Sequence, residues 1–266
     1  MSFIHLIVLA VIQGITEFLP ISSSGHLVLV PRVIGWPDQG LAIDVAVHVG
    51  SLLAVMTYFF RDILSILKGV PILFVDVHHK DSRLVLNLLI ATAPILVVGG
   101  AFQLIGIMDA FRSISVIGAT MLGFGILLYV ADKFGMTVNK LENMRYRTSV
   151  LIGLSQVLAL IPGTSRAGIS ITAARLLGYE RYDAARFSML MAIPAITGAG
   201  TVQGYALWQS GDTILGYQAA IAALLAFVSA LVAISAMMAW LRRASFTPFA
   251  IYRVILGSIL LVWACC

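Results

Sequence analysis

The sequence predicts an all-α, polytopic membrane protein with six transmembrane helices and two re-entrant helical hairpins in an inverted-topology repeat. The first observation behind this prediction is composition: 60% of the 266 residues are hydrophobic and 11% are charged, whereas soluble domains carry about 25% charged residues. Mean hydropathy is correspondingly high, at +1.01. The second observation is the arrangement of apolar runs, and the third is an internal repeat. The whole chain, 1–266, is therefore predicted to be a single integral membrane domain.

Six apolar runs are long enough to cross a bilayer, since a transmembrane helix needs roughly 20 mostly apolar residues. They cover residues 42–60, 84–105, 114–131, 187–209, 216–241 and 249–264. Two further apolar regions, 3–36 and 150–178, are broken near the middle by LPISSSGH and IPGTSRAG. Their pieces of roughly 9–12 residues would measure only about 14–18 Å as helices. Each region is therefore predicted to enter the membrane and turn back.

Lysines and arginines indicate which loops are cytoplasmic, because cytoplasmic loops of membrane proteins carry an excess of both residues. They gather in four loops, at 61–83, 132–148, 175–186 and 242–247. By contrast, loop 106–113 has only Arg112 and loop 210–215 has neither residue, so both are predicted to lie outside. Hairpin 149–174 then enters from the cytoplasmic face and residues 1–41 lie on the outer face. Both termini are predicted to be on the outer side.

The internal repeat emerges when the sequence is shifted along itself by 143 positions. SSSGHLVLVPRVIGW then falls on SRAGISITAARLLGY without a gap, and Ser22 matches Ser165. The two repeats, about 1–131 and 149–266, each contain one hairpin followed by three spans, and they have opposite orientations in the membrane. In such folds the broken helices meet near the midplane, where irregular backbone is tolerated because it lines a polar cavity. We expect the SSSGH and TSRAG turns to face each other.

Polar residues concentrate at this expected meeting point. They are Gln13, Glu17, Ser22, Ser23, Ser24 and His26 from the first repeat and Thr164, Ser165, Arg166 and Ser170 from the second. A charge at this depth costs roughly 2.5–3.5 kcal/mol, so Glu17 and Arg166 need each other or a ligand as partner. A purely structural ion pair is the alternative, but it leaves the neighbouring hydroxyls unexplained. Hydroxyls, helix N-termini and a guanidinium together are suited to hold a phosphate.

The stretches QGITEFLPISSSGH and PGTSRAGIS resemble the two signature motifs of the undecaprenyl-diphosphatase family, the bacitracin-resistance type of integral membrane phosphatase. The resemblance covers nearly the whole chain, including FSMLMAIPAITGAG and FAIYRVILG. It departs at Ala167, where the family usually has serine, and at Ser170, where it usually has threonine. The family implies removal of the terminal phosphate from undecaprenyl diphosphate, a carrier lipid recycled for cell-wall synthesis, and resistance to bacitracin. It also implies a bacterial inner membrane. From the predicted topology, the active site is expected to open on the outer, periplasmic side.

The resemblance further implies roles for individual residues. Arg166 would clamp the phosphates, and Ser23 would be the nucleophile, activated by His26 or Glu17; His26 as nucleophile or as the acid for the leaving phosphate stays open. The residues expected to bind the substrate phosphates with Arg166 are Ser22, Ser24, Thr164, Ser165 and Ser170. Glu17, helped by Gln13, is the expected ligand of a divalent cation, Mg²⁺ or alternatively Ca²⁺. A glutamine at position 13, where other members carry glutamate, weakens a two-carboxylate metal site.

Three further candidate residues lie within the predicted spans. Asp44 and His48 are one helical turn apart, and they either line the cavity behind the catalytic residues or make an interhelical hydrogen bond that merely satisfies both. Arg253, in the last span, binds backbone carbonyls, snorkels or contacts substrate. A structural role is favoured for Arg253.

The expected partners are a polyprenyl diphosphate lipid and the surrounding membrane lipids, with a homodimer left open. Nucleic acid is not expected, because the basic residues lie in short loops between apolar runs. The competing function is a secondary transporter or lipid flippase, since inverted repeats with broken helices are typical of carriers. A nucleophile and a general base beside a phosphate clamp favour hydrolysis instead. A structural scaffold would have no need for the buried charges.

Overall fold

The computed structural model describes residues 2–36, 39–107, 111, 113–210 and 212–265, which excludes Arg112. Twelve α-helices lie within these residues: α1 (Phe3–Thr16), α2 (Ser23–Ile34), α3 (Leu41–Tyr58), α4 (Phe60–Ile72), α5 (Lys80–Ile105), α6 (Ile114–Phe134), α7 (Tyr146–Gln156), α8 (Arg166–Leu176), α9 (Arg181–Leu190), α10 (Ala192–Ser210), α11 (Thr213–Leu241) and α12 (Thr247–Cys265). Short 3₁₀ helices cover Leu141–Asn143 and Val157–Leu160. In this part of the chain, α3, α5, α6, α11 and α12 are long and apolar enough to cross a membrane. The chain is thus a multi-pass membrane protein.

The predicted span 187–209 is not one continuous helix. It is divided at Met191 into α9 and α10, and α10 is not among the helices that qualify as membrane spans by length and apolarity. Pro194 explains the break, because proline has no N–H to donate and its ring clashes with the carbonyl four residues earlier. That carbonyl belongs to Leu190, the last residue of α9. Pro194 itself lies in the first turn of α10, where proline is tolerated.

The region 61–83, predicted as a loop, begins with a helix. After a short interruption at Phe59, α4 continues from α3 and packs against α5. Its sequence FRDILSILKGVPI places apolar residues between the charges at helical spacing, which is the pattern of an amphipathic helix. The charges alone favoured a loop, and the apolar stripe between them decided the structure.

Both broken regions form the predicted pairs of short helices, and the two pairs share their local geometry. α1 and α7 begin 143 residues apart, as do α2 and α8. The residues before α2 and α8, Ser22 (φ 73°) and Ser165 (φ 69°), both have left-handed backbone. Gly35 and Gly178, which follow these helices, are left-handed as well. The sequence repeat is therefore repeated in the backbone.

The first helix of each hairpin packs against a long helix from the other half of the chain. α1 packs on α11, and α7 packs on α5. Small residues allow the close approach: Ala222, Ala226 and Ala230 of α11 are completely buried. A Cβ added to Gly14 of α1 would lie 2.6 Å from the carbonyl oxygen of Ala226. Such contacts between small residues are typical of membrane helices, and here they hold the two halves together.

The four loops rich in lysine and arginine lie at one end of the helices. At the end of α6, Asp132 accepts a 3.1 Å hydrogen bond from Nε of Arg175 and a 2.9 Å hydrogen bond from the backbone N–H of Phe246. Arg186 forms an ion pair with Asp62. These contacts join all four loops, so the loops share one side of the molecule as predicted. Which face of the membrane this side meets stays a prediction.

Replacing Gly50 with alanine is expected to lower the free energy of unfolding by about 1–3 kcal/mol, the usual cost of overpacking. A Cβ at Gly50 of α3 would lie 2.0 Å from the backbone oxygen of Ala223 of α11. Gly123 is the control, because a Cβ there would meet nothing within 4 Å. Gly123→Ala should be neutral or stabilising by up to about 1 kcal/mol through helix propensity. Thermal unfolding in one detergent tests both, and an unchanged Tm for Gly50→Ala would contradict this packing.

Candidate active site

The two turns bring the N-termini of α2 and α8 to one place. Ser22 Oγ accepts a hydrogen bond from the backbone N–H of Gly25 at 3.3 Å, and Ser165 Oγ accepts one from Gly168 at 3.0 Å. These are N-cap contacts, which leave other N–H groups of the first turn unpaired within the helix. Left-handed backbone at a non-glycine residue costs of order 1–3 kcal/mol and clusters at functional sites. Two matching strained caps indicate a site for an anion.

A cavity of about 430 Å³ lies in front of these two helix ends. Its lining residues are Glu17, Ser23, Ser24, Leu41, Asp44, Val45, His48, Ala159, Ser165, Arg166, Ala195 and Ile196. The polar half of the wall comes from both hairpins and from α3, and the apolar half comes from α3, α10 and the residues before the second turn. A larger apolar groove of about 540 Å³ between α1, α11 and α12 has no charged residue in its lining. The chemistry therefore belongs to the smaller cavity.

Glu17 is at the centre of the polar wall and is only 7% exposed. Its Oε2 accepts hydrogen bonds from Ser23 Oγ at 2.6 Å and Gln13 Nε2 at 2.8 Å. Its Oε1 accepts one from Nη2 of Arg166 at 3.1 Å. The predicted contact between Glu17 and Arg166 is thus present, although 149 residues separate them in sequence. A hydroxyl, a carboxylate and a guanidinium meet at one point.

Three buried polar atoms of the two hairpins have no hydrogen-bond partner among the described residues. They are Nη1 of Arg166, Oε1 of Gln13 and Oγ1 of Thr164. Leaving a buried donor or acceptor unpaired costs about 1–3 kcal/mol, and more for a charged group. The unpaired guanidinium nitrogen is the most informative of the three, since it can donate only to an acceptor such as a phosphate oxygen. Arg166 therefore has a hydrogen-bond donor available for a ligand.

His48 was expected only to line the cavity behind the catalytic residues, but its imidazole lies beside Glu17. Its Nδ1 lies 2.7 Å from the backbone oxygen of Asp44, and its Nε2 lies 3.5 Å from Oε2 of Glu17. A carbonyl oxygen only accepts, so Nδ1 carries the hydrogen and Nε2 faces the carboxylate. Asp44 accepts a 2.6 Å hydrogen bond from Gln39 through Oδ1. Both residues line the cavity.

His26 is not brought to this centre. Its Nδ1 donates to the backbone oxygen of Ser22 at 2.7 Å, and its Nε2 lies 2.6 Å from the hydroxyl of Tyr252 on α12. Since Nδ1 carries the hydrogen, Nε2 accepts from Tyr252. The ring therefore turns back onto its own helix cap and toward α12, and it is absent from the cavity lining. The expectation that His26 lies beside Ser23 as its base does not match this geometry.

The residues expected to bind phosphate divide into two groups. Ser24 and Ser165 line the cavity, whereas Ser22, Thr164 and Ser170 do not. Ser170 is 1% exposed and donates to the backbone oxygen of Arg166 at 2.8 Å, besides bonding the Ser188 hydroxyl. Ser22 caps its helix, and Thr164 is fully buried. These three residues are therefore placed to stabilise the turns rather than to contact a ligand in the cavity.

The family model of the bacitracin resistance protein BacA matches residues 6–259. The chain belongs to this family. It is similar to proteins named undecaprenyl-diphosphatase from Roseobacter denitrificans (52% identity) and Dinoroseobacter shibae (53% identity), over 265 residues and 99% of each chain. A third, from Ruegeria pomeroyi, is 52% identical over 262 residues and 98% of each chain.

A divalent cation fits this BacA-family site only in part. Among the described residues, no group of three or more His, Cys, Asp or Glu could hold a metal. Gln13, the expected helper of Glu17, is fully buried, donates to Glu17 and does not line the cavity. Glu17 and Asp44 do supply two carboxylates to the wall. Mg²⁺ is commonly held by one or two carboxylates together with substrate phosphates, so the residues fit a cation that shares its ligands with a bound diphosphate.

Proposed function

We propose that this protein is a membrane phosphatase that removes the terminal phosphate of undecaprenyl diphosphate and so returns the carrier lipid for cell-wall synthesis. The observation that carries this proposal is the cluster at the cavity, where Ser23 is hydrogen-bonded to Glu17 and Arg166 keeps an unpaired buried nitrogen. The substrate follows from the relatives, which are named for this lipid. Bacitracin resistance follows in the same way from the family description.

Substrate binding uses the guanidinium and the two helix ends. Nη1 of Arg166 donates to a phosphate oxygen, and the N-termini of α2 and α8 add backbone N–H groups and the positive ends of their dipoles. An arriving phosphate also competes with Glu17 for Nη2 of Arg166. A carboxylate released from that pair can accept the proton of Ser23, which lies 2.6 Å away. Binding thereby prepares the base for the reaction.

Transfer then proceeds in two displacements at phosphorus. Ser23 Oγ forms a bond to the terminal phosphorus while its proton passes to Glu17, and the bond from phosphorus to the bridging oxygen breaks. Undecaprenyl phosphate leaves with that oxygen. Water next attacks the phosphoserine, Glu17 returns its proton to the serine oxygen, and inorganic phosphate departs while the remaining water proton passes to solvent. Arg166 stabilises charge on the transferring group in both steps.

His48 assists this chemistry from the other side of Glu17. With Nδ1 donating to the Asp44 carbonyl, its Nε2 faces the Glu17 carboxylate at 3.5 Å and offers a second proton acceptor in the cavity. A divalent cation, when bound, would neutralise phosphate charge, with Glu17 and Asp44 as its protein ligands. His26 is assigned to the support of α2 through Tyr252.

The membrane arrangement is part of the same proposal. Two observations support two re-entrant hairpins in an inverted repeat. The caps of α2 and α8 have the same left-handed backbone, and the first helix of each hairpin packs on a long helix of the other half, α1 on α11 and α7 on α5. α9 and α10 together complete the sixth crossing, as a broken helix. The loops joined at Asp132 are placed in the cytoplasm by their positive charge. The cavity then opens toward the periplasm, where the termini also lie.

Purified full-length protein in detergent is expected to release inorganic phosphate from farnesyl diphosphate, a short soluble analogue of the lipid. A chelator should reduce this release and added Mg²⁺ should restore it. Phosphate release from farnesyl monophosphate, which lacks the anhydride, is the specificity control and should be much slower. A carrier without hydrolase activity would release no phosphate, and that result would overturn the proposed function. Release that is insensitive to the chelator would overturn only the role of the cation.

A further inference from the structure

Arg253 of α12 is a fully buried cation surrounded by backbone oxygens. Its Nη2 donates to the carbonyls of Gly163 at 3.0 Å and Thr164 at 2.8 Å, and its Nη1 donates to that of Pro20 at 3.3 Å. Longer contacts reach two carbonyls of α6. Among the described residues, no carboxylate is within ion-pairing distance of it. Its partners are therefore oxygens of three separate segments, and two of these segments are the turns of the candidate site.

The space for this guanidinium is maintained by two glycines. A Cβ at Gly168 of α8 would lie 2.4 Å from Nη1 of Arg253, and a Cβ at Gly125 of α6 would lie 2.8 Å from its Cβ. Real Cβ atoms do not approach other atoms so closely. A side chain at either position would require the arginine or its neighbours to shift. The chain thus keeps a slot in which Arg253 reaches both turns.

The bound carbonyls come just before the residues that act on substrate. Pro20 lies three positions before Ser23, and Thr164 lies two positions before Arg166. Ser22 and Ser165, the helix caps between these carbonyls and the residues that act on substrate, have left-handed backbone. Such backbone persists only where surrounding contacts hold it. One planar guanidinium with five donors in a fixed fork can bind both turns at once, whereas an ammonium cannot reproduce this geometry. The relative position of the two turns therefore depends on Arg253.

We propose that Arg253 is a positioning residue that sets the distance between Ser23 and Arg166 by binding the backbone of both turns. This inference rests on the proposed function, because its effect is read in phosphate transfer. This role differs from general stabilisation, because its loss should lower kcat, the rate at which bound substrate reacts, rather than substrate binding or folding alone. Misplacing reacting groups by about 1 Å can cost on the order of a hundredfold in rate.

Arg175 is a matched control for a buried arginine outside the site. It is equally buried and also binds several backbone oxygens, but it pairs with Asp132 at the end of α6 among the basic loops. Replacement by lysine at either position retains the charge and removes the fork. Both variants should lose stability to a similar degree. Only the Arg253 variant should change the geometry of the cavity.

The experiment compares Arg253→Lys, Arg175→Lys and wild-type full-length protein in detergent, with farnesyl diphosphate and activity expressed per folded molecule. We expect kcat of Arg253→Lys to fall about 10- to 100-fold with KM within about threefold of wild type. Arg175→Lys should keep kcat within about threefold of wild type. Gly125→Ala, which crowds Cβ of Arg253 from α6 without removing the arginine, should show the same selective loss of kcat and serves if Arg253→Lys does not fold.

A wild-type kcat in both site variants would overturn the inference, as would an equal loss of kcat in Arg175→Lys. A raised KM with unchanged kcat would also overturn it, because Arg253 would then act on binding alone. Absence of phosphate release by the wild-type protein would instead contradict the proposed function, so the two failures are distinguishable.

Discussion

Replacing Arg166 with alanine is expected to lower kcat for phosphate release from farnesyl diphosphate by about a thousandfold or more, the range found when a phosphoryl-transfer arginine is lost. The variant loses the paired Nη2 and the unpaired buried Nη1, which together would hold the transferring phosphoryl group. Glu17 is then left buried without its cationic partner. Initial rates of phosphate release per folded molecule measure the effect.

Arg166→Lys is the companion variant, because it retains the charge but loses the planar fork. We expect its activity to lie between those of Arg166→Ala and wild type. A purely structural ion pair predicts a different outcome, namely lower thermal stability with near-normal turnover of the folded fraction. Turnover of folded Arg166→Ala within tenfold of wild type would therefore remove Arg166 from the reaction.

Replacing Ser23 with alanine is expected to reduce kcat on the order of a thousandfold or more, because loss of a nucleophile leaves only the contribution of binding and charge stabilisation. Ser23 Oγ donates a 2.6 Å hydrogen bond to Glu17, which is the geometry of a hydroxyl beside its base. The same initial-rate assay applies. A phosphate label trapped on wild-type protein after acid quench, and absent from Ser23→Ala, would identify the covalent intermediate.

Ser24→Ala is the matched control for this change. Ser24 lines the same cavity, but among the described residues its hydroxyl contacts Ser22 Oγ alone, at 3.4 Å. Its loss should reduce activity less than tenfold. Near-normal turnover in Ser23→Ala would exclude the serine as nucleophile, and the ring of His26 would have to leave Tyr252 to take that role.

Much of the candidate site could be predicted from sequence because charge in an apolar segment is costly. Glu17 and Arg166 had to find partners within the membrane, and the repeat indicated that their turns meet. Their contact at 3.1 Å follows from those two facts. The orientation of each imidazole could not be predicted in this way. Whether His26 or His48 faces Glu17 depends on the rotation of α2 and α3 and on a distant hydroxyl of Tyr252.

The limits on the fold prediction have similar causes. The apolar runs located the long membrane helices within a few residues, but they did not reveal the break at Met191 that Pro194 imposes through the carbonyl of Leu190. Charges in 61–83 concealed α4, since a charged residue is as compatible with the polar face of a helix as with a loop. The position of Arg253 in the last apolar span favoured a structural role, and its connection to both turns required the positions of three segments.

The sequence by itself determined that the chain is embedded in a membrane, that it contains two broken helical pairs, and that an acid, a hydroxyl and a guanidinium belong to one site. These conclusions depend on composition and local spacing, which the free energy of transfer into lipid and the geometry of a helix translate directly into structure. Only the tertiary structure decided which histidine reaches Glu17, which hydroxyls face the cavity and what holds the turns together. Those outcomes depend on helix rotation and on contacts across more than a hundred residues, and no local pattern records them.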